Sequence, residues 1–281
     1  MTTRLDESLR AARALLAATS DSPDLDARRL LEHVLGVTAS HLIVHGADPL
    51  NAADAARFDA LVARRSAGEP VAYLTGRVGF WTLDLAVDSR VLIPRPDTET
   101  LVEAVLDRLD ARTPLNVVDL GTGSGAIALA LASERPTWRL TATDASSAAL
   151  ACAQANATRL GVANTAFSAG AWYAAIAGRR FDAIVSNPPY IASGDTHLAA
   201  PELTHEPQNA LVAADHGIAD LDTIIAGAPA HLNSSGAIFV EHGADQGEAV
   251  RALLAAAGFV GVASIQDLGR NERVSTGRLA G

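Results

Sequence analysis

Up to about residue 70 the apolar positions recur at helical spacing. Leu5, Leu9, Ala12 and Leu16 share one face, and "SPDLDARRLLEHVLG" offers Ser22 as N-cap, Pro23 in the first turn and Gly36 as the stop. A third helix is predicted from Asn51, with Phe58, Leu61 and Val62 on one side and an end at Gly68. These make a small helical bundle. From Thr75 to Ile93 the period falls to two around a polar Asp88-Ser89 pair, which predicts a β-hairpin connecting two domains.

After "PRPDTE", the run Leu101, Val102, Val105, Leu106 and Leu109 predicts an amphipathic helix, and from there strand and helix patterns alternate. "LNVVDL", "RLTATD", "FDAIVS" and "GAIFVEHG" read as buried strands, separated by helices beginning at Gly125 and running through "AALACAQANATRLG", "LDTIIAGAPAHL" and "GEAVRALLAAAG". Such alternation predicts an α/β fold, a Rossmann-like parallel sheet with helices on both faces. The last segment, "GVASIQDLGRNERVSTGRL", reads as two strands joined by a turn. The expected layout is a helical domain at 1–74, a hairpin connector at 75–93 and an α/β domain at 94–281.

Composition narrows the function classes. The formal net charge is −10 and lysine is absent, so the sequence lacks the basic balance with which general nucleic-acid binders neutralise phosphates. No apolar run approaches the roughly 20 residues a bilayer span needs, and "MTTRLDESLR" has no basic-then-apolar leader pattern. A single cysteine, Cys152, excludes an intramolecular disulfide and a multi-cysteine zinc site, and it sits among alanines as a small core residue would. A soluble, cytoplasmic, monomeric protein without a metal is expected.

Chemistry concentrates at two places. In "VVDLGTGSGAIALALA" a strand, a glycine loop and a helix follow one another, and Gly121, Gly123 and Gly125 let backbone approach a ligand closely at a helix N-terminus that favours a negative group. Thr122 and Ser124 complete the loop. The relaxed dinucleotide pattern is satisfied by Gly121, Gly123 and Ala126, so the loop alone leaves a nicotinamide cofactor open. Asp144 ends the next strand, where an acid accepts from ribose hydroxyls in either cofactor class.

The second place is "VSNPPYI". If "FDAIVS" is the fourth parallel strand, Asn187, Pro188, Pro189 and Tyr190 leave its carboxyl end, the edge where open α/β sheets bind ligands. Two prolines remove two backbone donors and fix φ, so the loop offers carbonyl acceptors and little freedom. The Asn187 side-chain oxygen and the Pro188 carbonyl could take both hydrogens of one planar NH2 group, with Tyr190 covering its face. That suits an amide or amino-base as nucleophile and a sulfonium methyl donor as electrophile, since such transfer depends on positioning and polarisation. Nucleic-acid amino-methyltransferases share that requirement, but they need a recognition region and usually base extrusion, for which no inserted domain is present.

Taken together, "PVAYLTG", "PRPDTE", "DLGTGSGAIALALASERP", "VSNPPYI", "ALVAADHG", "EHG" and "NERV" resemble the release factor glutamine methyltransferases, the PrmC/HemK family, over nearly the whole chain from about Pro70. The resemblance implies a class I S-adenosylmethionine-dependent methyltransferase with a seven-stranded sheet and an N-terminal helical domain that helps dock the protein substrate. It implies N5-methylation of the glutamine in the Gly-Gly-Gln loop of class I peptide chain release factors, with S-adenosylhomocysteine as product and no metal. The Gly121–Gly125 loop, Asp144 and Asn187 then correspond to cofactor contacts, Trp172 to a residue beside the adenine, and Asn187 to Tyr190 to the glutamine-binding motif, with Asn187 and Pro188 catalytic. A sister enzyme acting on a ribosomal-protein glutamine is the nearest alternative; "PRPDTE" favours release factors. One departure stands out: the family commonly has an acid where this chain has Ala171, which predicts weaker adenine recognition or a substitute acceptor.

Three further features carry expectations. His41 and His45 stand four apart, but Leu42 takes the place of a zinc-protease glutamate, so no metal site is predicted. Arg95 and Glu99 are expected near the mouth of the site as contacts for the substrate loop. The polar stretch 192–208 is expected to order over the cofactor when substrate docks.

Overall fold

A computed structural model describes residues 3–281. It separates into two units: the chain up to Arg77 together with Thr196–His205, and Val78–Asp195 together with Glu206–Gly281. The helical unit contains α1 (Leu5–Leu16), α2 (Pro23–Leu35), α3 (Ala39–Val44), α4 (Ala52–Ser66) and α5 (Val71–Thr75). Leu16, Leu30, Leu31, Phe58 and Val62 form its core. Pro23 opens α2 and Gly36 closes it with a left-handed φ of 66°, and the Asn51 side chain caps α4 by accepting from Asp54 N–H. The short α3 and α5 lack the length for a periodic signal, which is why the apolar pattern predicted three helices and not five.

Arg65 on α4 is 3 % exposed, and its Nε donates to Asp26 Oδ2 at 2.7 Å. Its Nη2 donates to Glu202, which ties the segment Thr196–His205 to the helical unit. The stretch expected to close over the cofactor is therefore divided: its middle is held by Arg65, and the chain returns to the other unit at Glu206.

The second unit opens with a hairpin, β1 (Arg77–Phe80) and β2 (Leu83–Ala86). Its turn is Trp81-Thr82, not Asp88-Ser89. Trp81 takes φ 55°, and its backbone N–H donates to Glu99 Oε1 at 2.7 Å while its indole donates to Glu134 Oε1 at 2.8 Å. Two tertiary carboxylates thus hold a bulky residue in a conformation that local preference resists. Asp88 instead accepts from Arg90 N–H in a separate turn. Phe80 and Leu85 of the hairpin are buried in the same core as Leu101, Leu129 and Phe239, each contributing about 1.5–3 kcal/mol by burial.

The main sheet uses β3 (Asn116–Leu120), β4 (Arg139–Asp144), β5 (Thr165–Ala169), β6 (Phe181–Ser186), β9 (Leu232–Glu241), β10 (Phe259–Gln266) and β11 (Glu272–Leu279), after a two-residue pair β7 (Ile191–Ala192) and β8 (Val212–Ala213). Its order is β10-β11-β9-β6-β3-β4-β5. Five neighbours run parallel, and β11 is antiparallel to both strands beside it. Helices α6 (Glu99–Arg108), α7 (Ala126–Glu134), α8 (Ser147–Leu160), α10 (Ala219–His231) and α11 (Gly247–Ala256), with the distorted turn α9 (Ala214–Gly217), complete the unit. The edge strand β5, "TAFSA", carries no apolar run and is half-exposed, so periodicity did not predict it.

Asn156 on α8 joins three parts of this unit. Its side chain accepts from Ala86 N–H at 2.8 Å and donates to Ala86 C=O at 2.9 Å and Ser124 C=O at 3.0 Å, while the residue is wholly buried. The amide thereby fastens β2 to the glycine loop. Asn156→Ala removes the partner of Ala86 N–H and of the buried Ser124 C=O, and one of the two on Ala86 C=O, and is expected to destabilise the protein by about 2–4 kcal/mol, read from denaturant midpoints. A loss within 0.5 kcal/mol, the range of an ordinary surface change, would contradict this role.

Candidate active site

β3 ends at Leu120, β4 at Asp144 and β6 at Ser186, so the glycine loop, the acid and the Asn-Pro-Pro-Tyr loop all leave the carboxyl edge of adjacent parallel strands. β6 is the fourth parallel strand in chain order. Ser186, wholly buried, donates from Oγ to Leu120 C=O at 2.7 Å and fixes the start of the loop against the end of β3. A cleft of about 290 Å³ opens here, lined among others by Gly121, Gly123, Asp144, Ala171, Trp172 and Asn187.

The glycine loop is shaped by its own hydrogen bonds. Gly121 and Thr122 N–H both donate to Thr143 C=O, and Gly125 N–H to Thr122 C=O. Gly121 has φ 76°, and a Cβ there would lie 3.3 Å from the Trp172 ring, so both conformation and space require glycine. Gly125, φ 87°, is the N-cap of α7. Asp144 accepts from Gly123 N–H at 2.9 Å and Ser146 N–H at 2.8 Å, one bond on each oxygen. Each oxygen keeps lone-pair capacity for a ligand hydroxyl. Thr122 donates to the buried Asp119 at 2.6 Å, whereas Ser124 serves through its carbonyl to Asn156.

At the Asn-Pro-Pro-Tyr loop, the Asn187 amide donates from Nδ2 to Thr98 Oγ1 at 3.1 Å. Among the described residues, no donor reaches Asn187 Oδ1 or the Pro188 carbonyl. The Tyr190 phenol donates to Glu241 Oε1 at 3.2 Å, and burial pushes its pKa above the usual phenol range, so it stays neutral. Gln246 Nε2 donates to Tyr190 C=O at 3.0 Å. Gly217 is required beside it, because a Cβ there would fall 2.2 Å from that carbonyl. Asn187 and Pro189 line the cleft.

Several residues resolve differently from expectation. Arg95 donates to the buried Glu206, which also accepts from Ile93 N–H at 3.0 Å, and Glu99 holds the Trp81 turn. Both have partners inside the unit. Of the stretch 192–208, Pro207 lines the cleft, followed by Asn209 and Ala210. His41 and His45 stack on each other at 4.3 Å, with His45 paired to Asp48. Cys152 is buried, its thiol 3.4 Å from Ala86 C=O. Sequence reasoning missed Thr98, Asp119, Asn156, Asp220 and Glu241; Asp220 lines the cleft, and burial raises its carboxyl pKa against the favourable influence of the Trp172 side chain. Thr98 and Glu241 lay inside "PRPDTE" and "EHG", which gave a family signal but no role.

The residues present fit a nucleoside-containing sulfonium donor. The cleft offers an acid with spare acceptor capacity at Asp144, a bare glycine backbone at Gly121 and Gly123, and an indole face at Trp172. Beneath the loop, Asp119 is wholly buried with no hydrogen-bond partner on Oδ1, and it does not line the cleft.

This sheet order, with a glycine loop and a polar Asn-Pro-Pro-Tyr loop on neighbouring strands, defines a methyltransferase. The fold is shared with a methyltransferase from Pyrococcus furiosus, with a TM-score of 0.54 and 17 % identity over 79 % of this chain and 98 % of that one. The PrmC N-terminal domain matches residues 7–76 and the methyltransferase small domain residues 97–217. The chain belongs to the release factor glutamine methyltransferase family. It is 52 % identical to the release factor glutamine methyltransferase of Xylella fastidiosa, over 95 % of this chain and 98 % of that one. Against the Escherichia coli enzyme of the same name the identity is 48 %, over 92 % and 93 %.

Two carboxyls behind the site have displaced pKa values. Burial pushes Asp119 up to about 7, against the hydrogen bond from Thr122. Burial also pushes Glu241 up to about 7, against the hydroxyls of Thr98 and Tyr190. The folded state keeps these protons where the unfolded chain has already lost them. Their contribution to stability is complete below about pH 4 and is lost as pH rises through about 7. Asp119→Asn should therefore gain in Tm relative to wild type as pH is raised from about 5 to about 8. A Tm difference independent of pH would contradict the assignment.

Proposed function

We propose that this chain uses S-adenosylmethionine to methylate the side-chain nitrogen of the glutamine in the Gly-Gly-Gln loop of class I peptide chain release factors. The observation that carries the reading is the pair of acceptors without internal donors, Asn187 Oδ1 and the Pro188 carbonyl, on a rigid loop at the rim of the cleft. A planar amide has two N–H groups to match them. The nucleoside end of the cofactor would lie along Gly121 to Gly125, Asp144 and Trp172, and the bound sulfonium supplies an activated methyl group. The helical unit, matched by the PrmC N-terminal domain, serves to dock the protein substrate in this reading.

The chain's own task is orientation and polarisation. An amide nitrogen is a poor nucleophile because its lone pair is delocalised. Binding both hydrogens to oxygen acceptors raises electron density on nitrogen, and Tyr190 confines the amide plane. Neither acceptor is a strong base. The proton would pass to solvent water once nitrogen carries the methyl group, when its acidity has risen sharply. Ala171 supplies no side-chain acceptor at the indole end, and Asp220 is a carboxylate that lines the cleft.

Asn187→Ala should lower methyl transfer to an intact release factor at least ~100-fold while changing cofactor affinity by less than about threefold. Transfer of labelled methyl and calorimetric titration of S-adenosylmethionine read the two effects separately. Full activity in the variant, or wild-type labelling of a release factor whose loop glutamine is replaced by alanine, would refute the reading.

A further inference from the structure

Thr98 and Glu241 lie outside the loop that grips the substrate, yet the loop depends on them. Asn187 can present either its oxygen or its NH2 to the cleft, and the two choices select opposite ligands. An outward oxygen receives an NH2 donor; an outward NH2 receives a carbonyl or carboxylate. What sets the choice is the group behind it, and that group is the Thr98 hydroxyl, 3.1 Å from Nδ2.

A hydroxyl both donates and accepts, so Thr98 alone would leave the amide free to flip. Glu241 removes that freedom. It is 0 % exposed at the end of β9, takes the Tyr190 hydroxyl on Oε1, and keeps Oε2 without a direct partner. Thr98 faces the same carboxylate closely enough to favour its charge, Arg273 also favours it, and Asp97 opposes it. Arg273 is itself held by Asp97 at 3.1 Å and Asp267 at 3.2 Å. An ionised carboxylate only accepts, so a Thr98 hydroxyl turned toward it can only donate. The Thr98 oxygen is then left to accept from Asn187, and Asn187 Oδ1 faces outward.

Resting on the glutamine reading above, we propose that Glu241 and Thr98 are positioning residues that fix the polarity of the Asn187 amide and thereby select a substrate NH2 group. The same carboxylate anchors the Tyr190 phenol, so one buried group sets both side chains that meet the substrate amide. Polarity is enforced while Glu241 is ionised. Wild-type kcat should accordingly rise with pH through about 7, the value to which burial pushes this carboxyl.

The test uses the full chain, S-adenosylmethionine and an intact class I release factor. Thr98→Val, which keeps shape and removes the hydroxyl, should lower kcat ~10–100-fold with cofactor affinity unchanged within about twofold. Thr98→Ser should restore kcat to within about threefold of wild type. Glu241→Gln, which can both donate and accept, should lower kcat ~10-fold and flatten its pH rise near 7; it carries the test if Thr98→Val does not fold. Hydrogen exchange of the Asn187 side-chain amide, identified by its loss in Asn187→Ala, reads the same relay without turnover. Protection should fall in Thr98→Val and persist in Thr98→Ser. Unchanged kcat and protection in Thr98→Val, or Thr98→Ser falling as far as Thr98→Val, would overturn the proposal. A wild type that leaves the release factor unlabelled but shows this exchange pattern would overturn the function while supporting the relay.

Discussion

Two consecutive prolines cannot donate a hydrogen bond, and the rest of the site is organised around that deficit. A loop with half of its backbone donors removed is held less by its own ladder or turn. It must be held by side chains from elsewhere and by what flanks it. Ser186 anchors its start to Leu120 C=O, Thr98 takes the Asn187 amide, Glu241 takes the Tyr190 hydroxyl and Gln246 takes the Tyr190 carbonyl. The same deficit leaves the Pro188 carbonyl without an internal donor among the described residues. Rigidity and acceptor character come from one covalent fact.

Burying a carboxylate to hold such a loop is expensive unless it is satisfied, and Glu241 is only partly so. A group retained at that cost is more readily explained by what it orients than by stability. The neighbouring His242 shows the contrast. Burial lowers its pKa, it sits between Gly243 C=O and Ser275 Oγ, and it finishes the end of β9 without reaching the cleft.

Most of the fold was legible because long elements carry strong periods and clear stops. The Gly36 stop, the Asn51 cap and the strand-loop-helix around Gly121–Gly125 follow from local chemistry alone. What escaped was decided by tertiary contacts. The hairpin turns at Trp81, against its own preference, because Glu99 and Glu134 hold it there, and Asp88-Ser89, the better local turn, serves Arg90 instead. For the site, Asn187 to Tyr190 could be read from the loop itself, since prolines and an amide have few alternative uses after a strand. Thr98, Glu241 and Asn156 could not, because a threonine, a glutamate and an asparagine mean little until their partners are known. Arg95 and Glu99 also have internal partners, Glu206 and the Trp81 turn, that their motif alone does not reveal.

Which atoms meet can be read from a structure of the chain with S-adenosylhomocysteine and a release factor. The Pro188 carbonyl can only accept, so the substrate atom bonded to it must be the amide nitrogen. In that structure the nitrogen should lie within hydrogen-bond distance of both Pro188 C=O and Asn187 Oδ1, with Asn187 Nδ2 still on Thr98. A glutamine side chain placed with its carbonyl oxygen toward Asn187, or bound away from the Asn-Pro-Pro-Tyr loop, would contradict it.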